Sequence, residues 1–135
     1  MSERITISDL NAMKADGDKF VMVTAYDSTF AKLVSEAGAE CILIGDSLGM
    51  VLQGFDTTVP VSLESMVYHT ACVARARTQS LIVADLPFMS YSSPDVALAA
   101  STELMQQGAQ MVKLEGGIWL SDTIHQLVQR GIPVC

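Results

Sequence analysis

The sequence predicts an α/β fold made of repeated βα units with parallel strands. Short apolar runs alternate with longer segments whose apolar residues recur at helical spacing. The short runs are apolar at nearly every position, which is typical of parallel strands buried on both faces. A glycine joins a helix to a strand three times, at Gly38, Gly108 and Gly131. Repeats of this unit require parallel neighbours and right-handed crossovers, which leaves two architectures: an open doubly wound sheet, or part of a (β/α)8 barrel.

The first third of the chain contains two predicted helices and one predicted strand. A short helix is expected at about residues 7–15, with Ser8 as its candidate N-cap. Residues 20–25 form a predicted buried strand. A second helix is expected at residues 28–37, and Gly38 is placed to be its C′ residue. Its apolar residues follow the i, i+3, i+4, i+7 pattern: Phe30, Leu33, Val34 and Ala37.

The middle of the chain holds the stretch on which the prediction of function depends. Residues 41–44 are apolar throughout and form a predicted strand, which leads into the turn Gly45-Asp46-Ser47. Residues 48–60 have no helical period and contain two glycines and a proline, so they are predicted to be a loop. Loops this long are frequently functional. The Ser62 hydroxyl can cap the next helix, which is expected to reach about Ala76.

The same unit then repeats. Residues 81–85 form a predicted strand that ends in Asp85. Ser93-Pro94 has the form of an N-cap followed by an N1 proline, and the helix is expected to run to Gln107. Residues 110–115 form the next predicted strand, which ends with a lysine and a glutamate.

The last part of the chain sets the size of the predicted domain. Gly116-Gly117 turns the chain into a helix that Gly131 closes, and residues 132–135 are expected to begin a fifth strand. A complete (β/α)8 barrel needs about 250 residues, whereas this chain has 135. If the barrel alternative is correct, residues 1–135 are one partial domain, a half-barrel whose first and last strands are unpaired edges.

Three successive strands carry charged residues to one edge of the predicted sheet. Asp46 and Asp85 end adjacent strands, roughly 5 Å apart by strand spacing. Two ionised carboxylates at that distance require a shared proton or a cation between them. Oxygen ligands favour a hard divalent ion, and Mg²⁺ bound through few carboxylates and several waters fits best. Glu115, one strand further along, is placed to hold a coordinated water rather than to ligate directly.

Strand alternation predicts that these side chains share a face, because residues two apart on a strand point the same way. The expected inward set is Ile42, Ile44, Asp46, Leu81, Val83, Asp85, Lys113 and Glu115. Lys113 is unusual in an apolar strand, and a buried unpaired ammonium is costly. It is therefore expected to meet an anion, which is Glu115, a metal-bound aspartate or a substrate carboxylate.

Other polar and aromatic residues have plainer explanations. An aspartate at a strand end is often only the N-cap of the next helix. His69 and His125 lie on predicted helices and are interpreted as packed or solvated, and Tyr91 and Trp119 as packing residues. The three cysteines have no metal-binding or CxxC spacing, so they are interpreted as buried small hydrophobic residues in a reducing compartment. A GxGxxG dinucleotide fingerprint is absent.

The charge and hydropathy of the chain exclude some partners. The net charge of −7 argues against nucleic acid, whose phosphates need a basic face. No apolar run approaches the ~18 residues of a membrane span, and the N-terminus lacks the apolar core of a signal peptide. These features predict a cytoplasmic protein that does not bind membranes.

Five short blocks of this chain resemble the ketopantoate hydroxymethyltransferase family, in the same order and with similar spacing from about Ile5 to Cys135. The blocks are Val23-Thr24-Ala25-Tyr26-Asp27, Gly45-Asp46-Ser47-Leu48-Gly49-Met50, Val67-Tyr68-His69-Thr70, Ala84-Asp85-Leu86-Pro87-Phe88-Met89 and Lys113-Leu114-Glu115-Gly116-Gly117. The second and fourth blocks together are highly specific. The resemblance implies a (β/α)8 TIM barrel, of which this chain is the first four βα units and the start of strand 5.

The resemblance also implies an activity and its residues. Members of the family transfer a hydroxymethyl group from 5,10-methylenetetrahydrofolate to 3-methyl-2-oxobutanoate in pantothenate biosynthesis, and they form large homo-oligomers. By this resemblance Asp46 and Asp85 bind Mg²⁺, which the 2-oxo acid chelates, and Glu115 assists the metal through water. Ser47 and Lys113 contact the same substrate.

The family's general base, a glutamate on a later barrel strand, and a substrate-contacting histidine have no counterpart in these 135 residues, so no catalytic residue is assigned. Two alternatives remain open. One is a Mg²⁺ enzyme of the phosphoenolpyruvate mutase/isocitrate lyase type, which places a 2-oxo acid in a similar barrel. The other is an inactive half-barrel that associates with another copy through its open edges.

Overall fold

A computed structural model describes residues 4–135 and confirms the predicted α/β architecture. Four parallel strands pair in the order β1-β2-β3-β4, with helices in the crossovers. The elements in chain order are α1 (Ile7–Asp16), β1 (Met22–Thr24), α2 (Ser28–Glu36), β2 (Cys41–Ile44), α3 (Leu48–Val51), α4 (Leu63–Ala74), β3 (Leu81–Asp85), α5 (Pro94–Gln106), β4 (Met111–Lys113), a 3₁₀ turn (Ile118–Leu120) and α6 (Ser121–Gln129). Beyond β4, Val134 makes a parallel bridge to Val112, so the predicted fifth strand begins here.

The sheet separates two apolar clusters. The larger cluster lies between the strands and α4, α5 and α6, and it includes Ile42, Ile44, Ile82, Val112 and Leu104. The smaller one lies on the opposite face, where α1 covers the amino ends of the strands, and it contains Leu10, Cys41, Leu81 and Val83. Because both faces carry a core, β3 is buried at every position, as its unbroken apolar run predicts.

The N-cap of the first helix differs from the prediction. Thr6, not Ser8, is the cap: the Asp9 amide donates to its hydroxyl, and the Asp9 carboxylate accepts from the Thr6 amide. This reciprocal capping box satisfies amides that would otherwise be unpaired. The threonine three residues before an acidic side chain was the signal that identifies the true cap.

The prediction of a buried first strand was wrong. Only Met22–Thr24 pair as strand, and all three residues are exposed. β1 lies at the edge of the sheet, and within residues 4–135 no strand covers its free side. Val21 and Val23 instead line an open apolar groove of about 400 Å³ with α2. Apolar composition alone does not distinguish an interior strand from an edge strand.

The prediction that residues 48–60 form a loop was wrong at its start, where Leu48–Val51 form the one-turn helix α3. Leu48 and Gly49 are buried, while Met50 and Val51 are exposed. A single turn is too short to show a 3.6-residue period, so the sequence pattern does not reveal it.

The cysteines fit the prediction only in part. Cys41 is buried inside β2, and burial raises the pKa of its thiol to about 11. Cys72 is half-buried and Cys135, on the strand segment beyond β4, is exposed. Within the described residues, no helix is both long enough and apolar enough to cross a membrane.

Candidate functional site

The carboxyl ends of the inner strands surround a small polar pocket of about 140 Å³. Its walls are Asp46, Thr58, Asp85, Leu86, Tyr91, Lys113, Leu114 and Glu115. All four charged residues that the sequence places at this edge therefore meet in one pocket. This end of a parallel sheet is where α/β proteins bind ligands.

An ion pair between β3 and β4 forms the centre of the pocket. Asp85 and Lys113 are register partners in the parallel ladder, so their side chains leave the sheet side by side. Lys113 Nζ donates to Asp85 Oδ1 at 2.9 Å and to Glu115 Oε1 at 2.7 Å. The expectation that Lys113 meets an anion is confirmed, with Asp85 nearly buried and Glu115 largely exposed.

Asp46 reaches the pocket by a different route from the one predicted. Ile42 and Ile44 face the helices, whereas Leu81 and Val83 belong to the opposite cluster. The prediction of one shared inward face was therefore wrong for the β2 residues. Asp46 lies two residues beyond Ile44, in the turn before α3, so its direction is set by that turn. Its backbone amide donates to Asp85 Oδ2 at 3.1 Å.

The pKa shifts in the pocket follow from burial and from the lysine. Burial raises the pKa of the Asp85 carboxyl, although the hydrogen bond and charge of Lys113 oppose that shift. For Lys113, burial lowers the pKa, but the hydrogen bonds to Glu115 and Asp85 outweigh burial and raise it overall. The same contact lowers the pKa of Glu115. At neutral pH the lysine is therefore a fixed cation at the pocket wall.

Ser47 is not among the walls of the pocket; it follows Asp46 in the turn before α3, and its hydroxyl lies close to Gly45. A Cβ added to Gly45 would come within 2.7 Å of Ser47 Oγ and 3.5 Å of Asp85 Oδ2. The two side-chain oxygens therefore lie on the same side of the Gly45 backbone, and a side chain there would occupy the space between them. This close approach explains why a glycine precedes the aspartate.

Several residues near the site were not predicted to belong to it. Tyr26, just beyond β1, places its hydroxyl 2.8 Å from Ser47 Oγ. His69 is half-buried, and its Nδ1 lies 2.8 Å from the Tyr26 carbonyl oxygen. Thr58 reaches the pocket from the segment after α3, where the only signal was the length of the predicted loop. Tyr91 stacks on Trp119, as a packing residue would, but it also lines the pocket.

The oxygen donors of the pocket fit a hard divalent cation that keeps several waters. Asp46 and Asp85 supply carboxylates, and Thr58 is a further oxygen-bearing residue of the same pocket lining. Within residues 4–135, no three side chains of histidine, cysteine, aspartate or glutamate converge closely enough to hold an ion by themselves. Two carboxylates completed by water is the arrangement that Mg²⁺ commonly accepts in proteins.

Known proteins resemble this chain in both sequence and fold. Residues 4–135 match the family model described as ketopantoate hydroxymethyltransferase. The chain is 57% identical over 131 residues to the 3-methyl-2-oxobutanoate hydroxymethyltransferase 2 of Hahella chejuensis, covering 97% of this chain and 50% of that protein. It is 58% identical to the 3-methyl-2-oxobutanoate hydroxymethyltransferase of Burkholderia vietnamiensis, covering 97% of this chain and 48% of that protein. The chain thus spans about half the length of these curated relatives.

Two solved structures share the fold. Phosphonopyruvate hydrolase in complex with oxalate and Mg²⁺ superposes with a TM-score of 0.68 at 17% identity, over 85% of this chain and 40% of that one. A 2,3-dimethylmalate lyase, a member of the phosphoenolpyruvate mutase/isocitrate lyase superfamily, gives 0.68 at 16% identity, over 94% of this chain and 49% of that one. The fold is therefore that of these barrels, and this chain corresponds to about half of one, as predicted.

Proposed function

Because the chain belongs to the ketopantoate hydroxymethyltransferase family, we propose that it forms the metal- and oxo-acid-binding part of a 3-methyl-2-oxobutanoate hydroxymethyltransferase. The reaction transfers a hydroxymethyl group from 5,10-methylenetetrahydrofolate to 3-methyl-2-oxobutanoate and gives 2-dehydropantoate. The observation that carries this proposal is the Lys113–Asp85 ion pair, which lies in the same pocket as Asp46.

We assign each part of a small 2-oxo acid to a different residue in or beside the pocket. Lys113 offers a permanent positive charge for a carboxylate, and Ser47 offers a hydroxyl on the Asp85 side of the Gly45 turn. Asp46 and Asp85 would hold Mg²⁺, and Glu115 would orient a bound water. When bound, the ion would supply Lewis acidity toward the keto oxygen. The oxalate and Mg²⁺ bound by phosphonopyruvate hydrolase, which shares the fold, support this assignment.

Metal binding by the 135-residue chain tests the proposal directly. Mn²⁺ prefers the same oxygen ligands as Mg²⁺ and can be followed by electron paramagnetic resonance, with and without 3-methyl-2-oxobutanoate. Asp46→Asn and Asp85→Asn should each weaken Mn²⁺ binding more than about tenfold, and the oxo acid should strengthen it in the wild-type chain.

Asp122→Asn is the matched control, because Asp122 lies on the exposed face of α6 and, within residues 4–135, accepts a side-chain hydrogen bond only from Gln126. Equal Mn²⁺ affinity in all four proteins would refute the proposal.

The chain alone is expected to have little or no transferase activity, because the residue that the family uses as general base is not among these 135 residues. Removal of a general base typically costs about 10²–10⁴-fold in rate. Hydroxymethyl transfer at a rate typical of enzymes by the purified chain would contradict this expectation.

Chemistry of the phosphoenolpyruvate mutase/isocitrate lyase type is the second candidate, and the shared barrel fold favours it. The sequence identity of 57–58% to hydroxymethyltransferases favours the first candidate. Folate distinguishes the two: in a protein that contains this chain, turnover of the oxo acid without any tetrahydrofolate would support the second.

A further inference from the structure

Two hydrogen bonds connect α4 to Ser47 through Tyr26, one at the tyrosine's backbone carbonyl and one at its hydroxyl. The Tyr26 hydroxyl and Ser47 Oγ are 2.8 Å apart, and either can be the donor. His69 Nδ1 is 2.8 Å from the Tyr26 carbonyl oxygen. A carbonyl oxygen can only accept, so Nδ1 must carry the proton in this contact. The direction of the first hydrogen bond, between the two hydroxyls, decides what Ser47 can do for a ligand.

Each hydroxyl has one proton to donate. If Ser47 donates to Tyr26, its proton is used and it presents only lone pairs, which repel an anion. If Tyr26 donates to Ser47, the serine proton is free to point at a ligand oxygen. A phenol is a stronger acid than an alkyl hydroxyl, so the second direction gives the better hydrogen bond. An anionic ligand beside Ser47 favours the same direction.

We propose that Tyr26 is a positioning residue that donates to Ser47, so that Ser47 in turn donates to the carboxylate of a bound 2-oxo acid. These two successive hydrogen bonds, from Tyr26 to Ser47 and from Ser47 to the ligand, form a relay. This inference rests on the proposed function, because it concerns the same ligand. Ser47 Oγ and Asp85 Oδ2 both lie within 3.5 Å of the point that a Gly45 Cβ would occupy. The two oxygens therefore lie on the same side of the Gly45 backbone, so the serine hydroxyl belongs to the part of the site where Asp85 lies.

His69 holds the tyrosine in place rather than contacting the ligand. Its Nδ1 fixes the backbone carbonyl of Tyr26 immediately after β1, and its ring packs edge-on against both Tyr26 and Tyr68. The imidazole therefore anchors the segment that follows the exposed edge strand β1. Loss of this anchor should leave the Tyr26 hydroxyl in place for only part of the time.

The test distinguishes two possible effects of Tyr26 on ligand binding: recognition of the ligand's carboxylate through Ser47, and packing of the tyrosine ring. Binding of 3-methyl-2-oxobutanoate and of its neutral methyl ester is measured by calorimetry on the Mg²⁺-loaded 135-residue chain. Tyr26→Phe keeps the ring and removes the hydroxyl. It should weaken binding of the acid about tenfold and leave binding of the ester unchanged.

Two further comparisons support or contradict the relay. Ser47→Ala should lose as much affinity for the acid as Tyr26→Phe, and the double variant should lose no more than Ser47→Ala alone, because the two hydroxyls act in series. His69→Asn, whose amide can donate to the same carbonyl, should retain more affinity than His69→Leu. Tyr68→Phe is the control, because Tyr68 is exposed and no hydrogen bond joins its side chain to the site among the residues that the structure describes.

The outcomes separate this inference from the proposed function. If the wild-type chain binds the acid and Tyr26→Phe binds it equally well, the relay is wrong and the proposed function stands. The relay is also wrong if Tyr26→Phe weakens the acid and the ester alike, since that result indicates packing. If the wild-type chain does not bind the acid with Mg²⁺, the proposed function fails and the relay fails with it.

Discussion

Asp85 shows how one residue combines burial with charge. The residue is only 7% exposed, yet both carboxylate oxygens have partners, the Lys113 ammonium and the Asp46 amide. An unpartnered buried carboxylate would instead take up a proton. Burial alone would favour the neutral form of the Asp85 carboxyl, and the charge of Lys113 favours the carboxylate instead.

Lys113→Met tests this balance through its dependence on pH. The variant removes the ammonium that opposes the raised pKa of Asp85, so that pKa should rise further above its value in the unfolded chain. A carboxyl with a raised folded-state pKa contributes stability below its unfolded pKa of about 3.9, and that contribution is lost as pH rises through the folded-state pKa. The variant should therefore be less stable by about 1–3 kcal/mol at pH 7, and the deficit should shrink toward pH 4.

Urea unfolding in the presence of a chelator measures the stability deficit of the variant at pH 7 and at pH 4. Lys32→Met is the control, because Lys32 is an exposed lysine on α2 and makes no ion pair in the part of the chain that the structure describes. A deficit of the same size at both pH values would contradict this account of Asp85.

At the scale of elements, the sequence predicts best where one local signal decides the structure. β3 has the predicted bounds, and Ser62 and Ser93 cap α4 and α5 as expected. The faces of β2 and the burial of β1 were predicted wrongly, because both depend on neighbours that are distant in sequence. At the site, Asp85 and Lys113 follow from strand ends and register, whereas Tyr26 and Thr58 approach through tertiary structure that no local pattern reports.

Gly49 shows that a glycine inside a helix can be required by packing. A Cβ at this position would lie 2.4 Å from Val61 Cγ2, and both residues are buried. Helix propensity alone predicts that Gly49→Ala stabilises the protein by about 1 kcal/mol. Overpacking a buried contact costs about 1–3 kcal/mol, so we expect net destabilisation, measured by urea unfolding.

A double variant with Val61→Ala tests whether contact with Val61 is the reason for the cost of Gly49→Ala. Val61→Ala removes the methyl groups that the new Cβ would meet, so Gly49→Ala should cost less in the Val61→Ala background than in the wild type. Met50→Ala, at an exposed position in the same turn, should be nearly neutral. A stabilised Gly49→Ala variant would show that propensity outweighs packing in α3.

At the scale of the whole molecule, the described residues leave two open edges. On one side, Val21 and Val23 of the β1 segment form an apolar groove with Phe30 and Leu33 of α2. On the other side, the strand segment at Val134 follows β4, and Val128 on α6 is 54% exposed. An exposed apolar groove such as the one beside β1 is typical of an interface, and parallel edge strands can pair with further strands.

For the chain studied alone, we predict self-association through these two edges, since a second copy presents the complementary edge. Leu33→Lys on α2 and Val128→Lys on α6 should each shift the concentration dependence of sedimentation toward monomer. Lysine lowers the magnitude of the net charge of −7 by one, so weaker association could not come from increased repulsion between copies. Val96→Lys, at an exposed valine on α5 away from both edges, is the control and should leave association unchanged. A chain that is monomeric at all concentrations would exclude pairing of the edges, and equal effects of all three lysines would show that association is not specific to them.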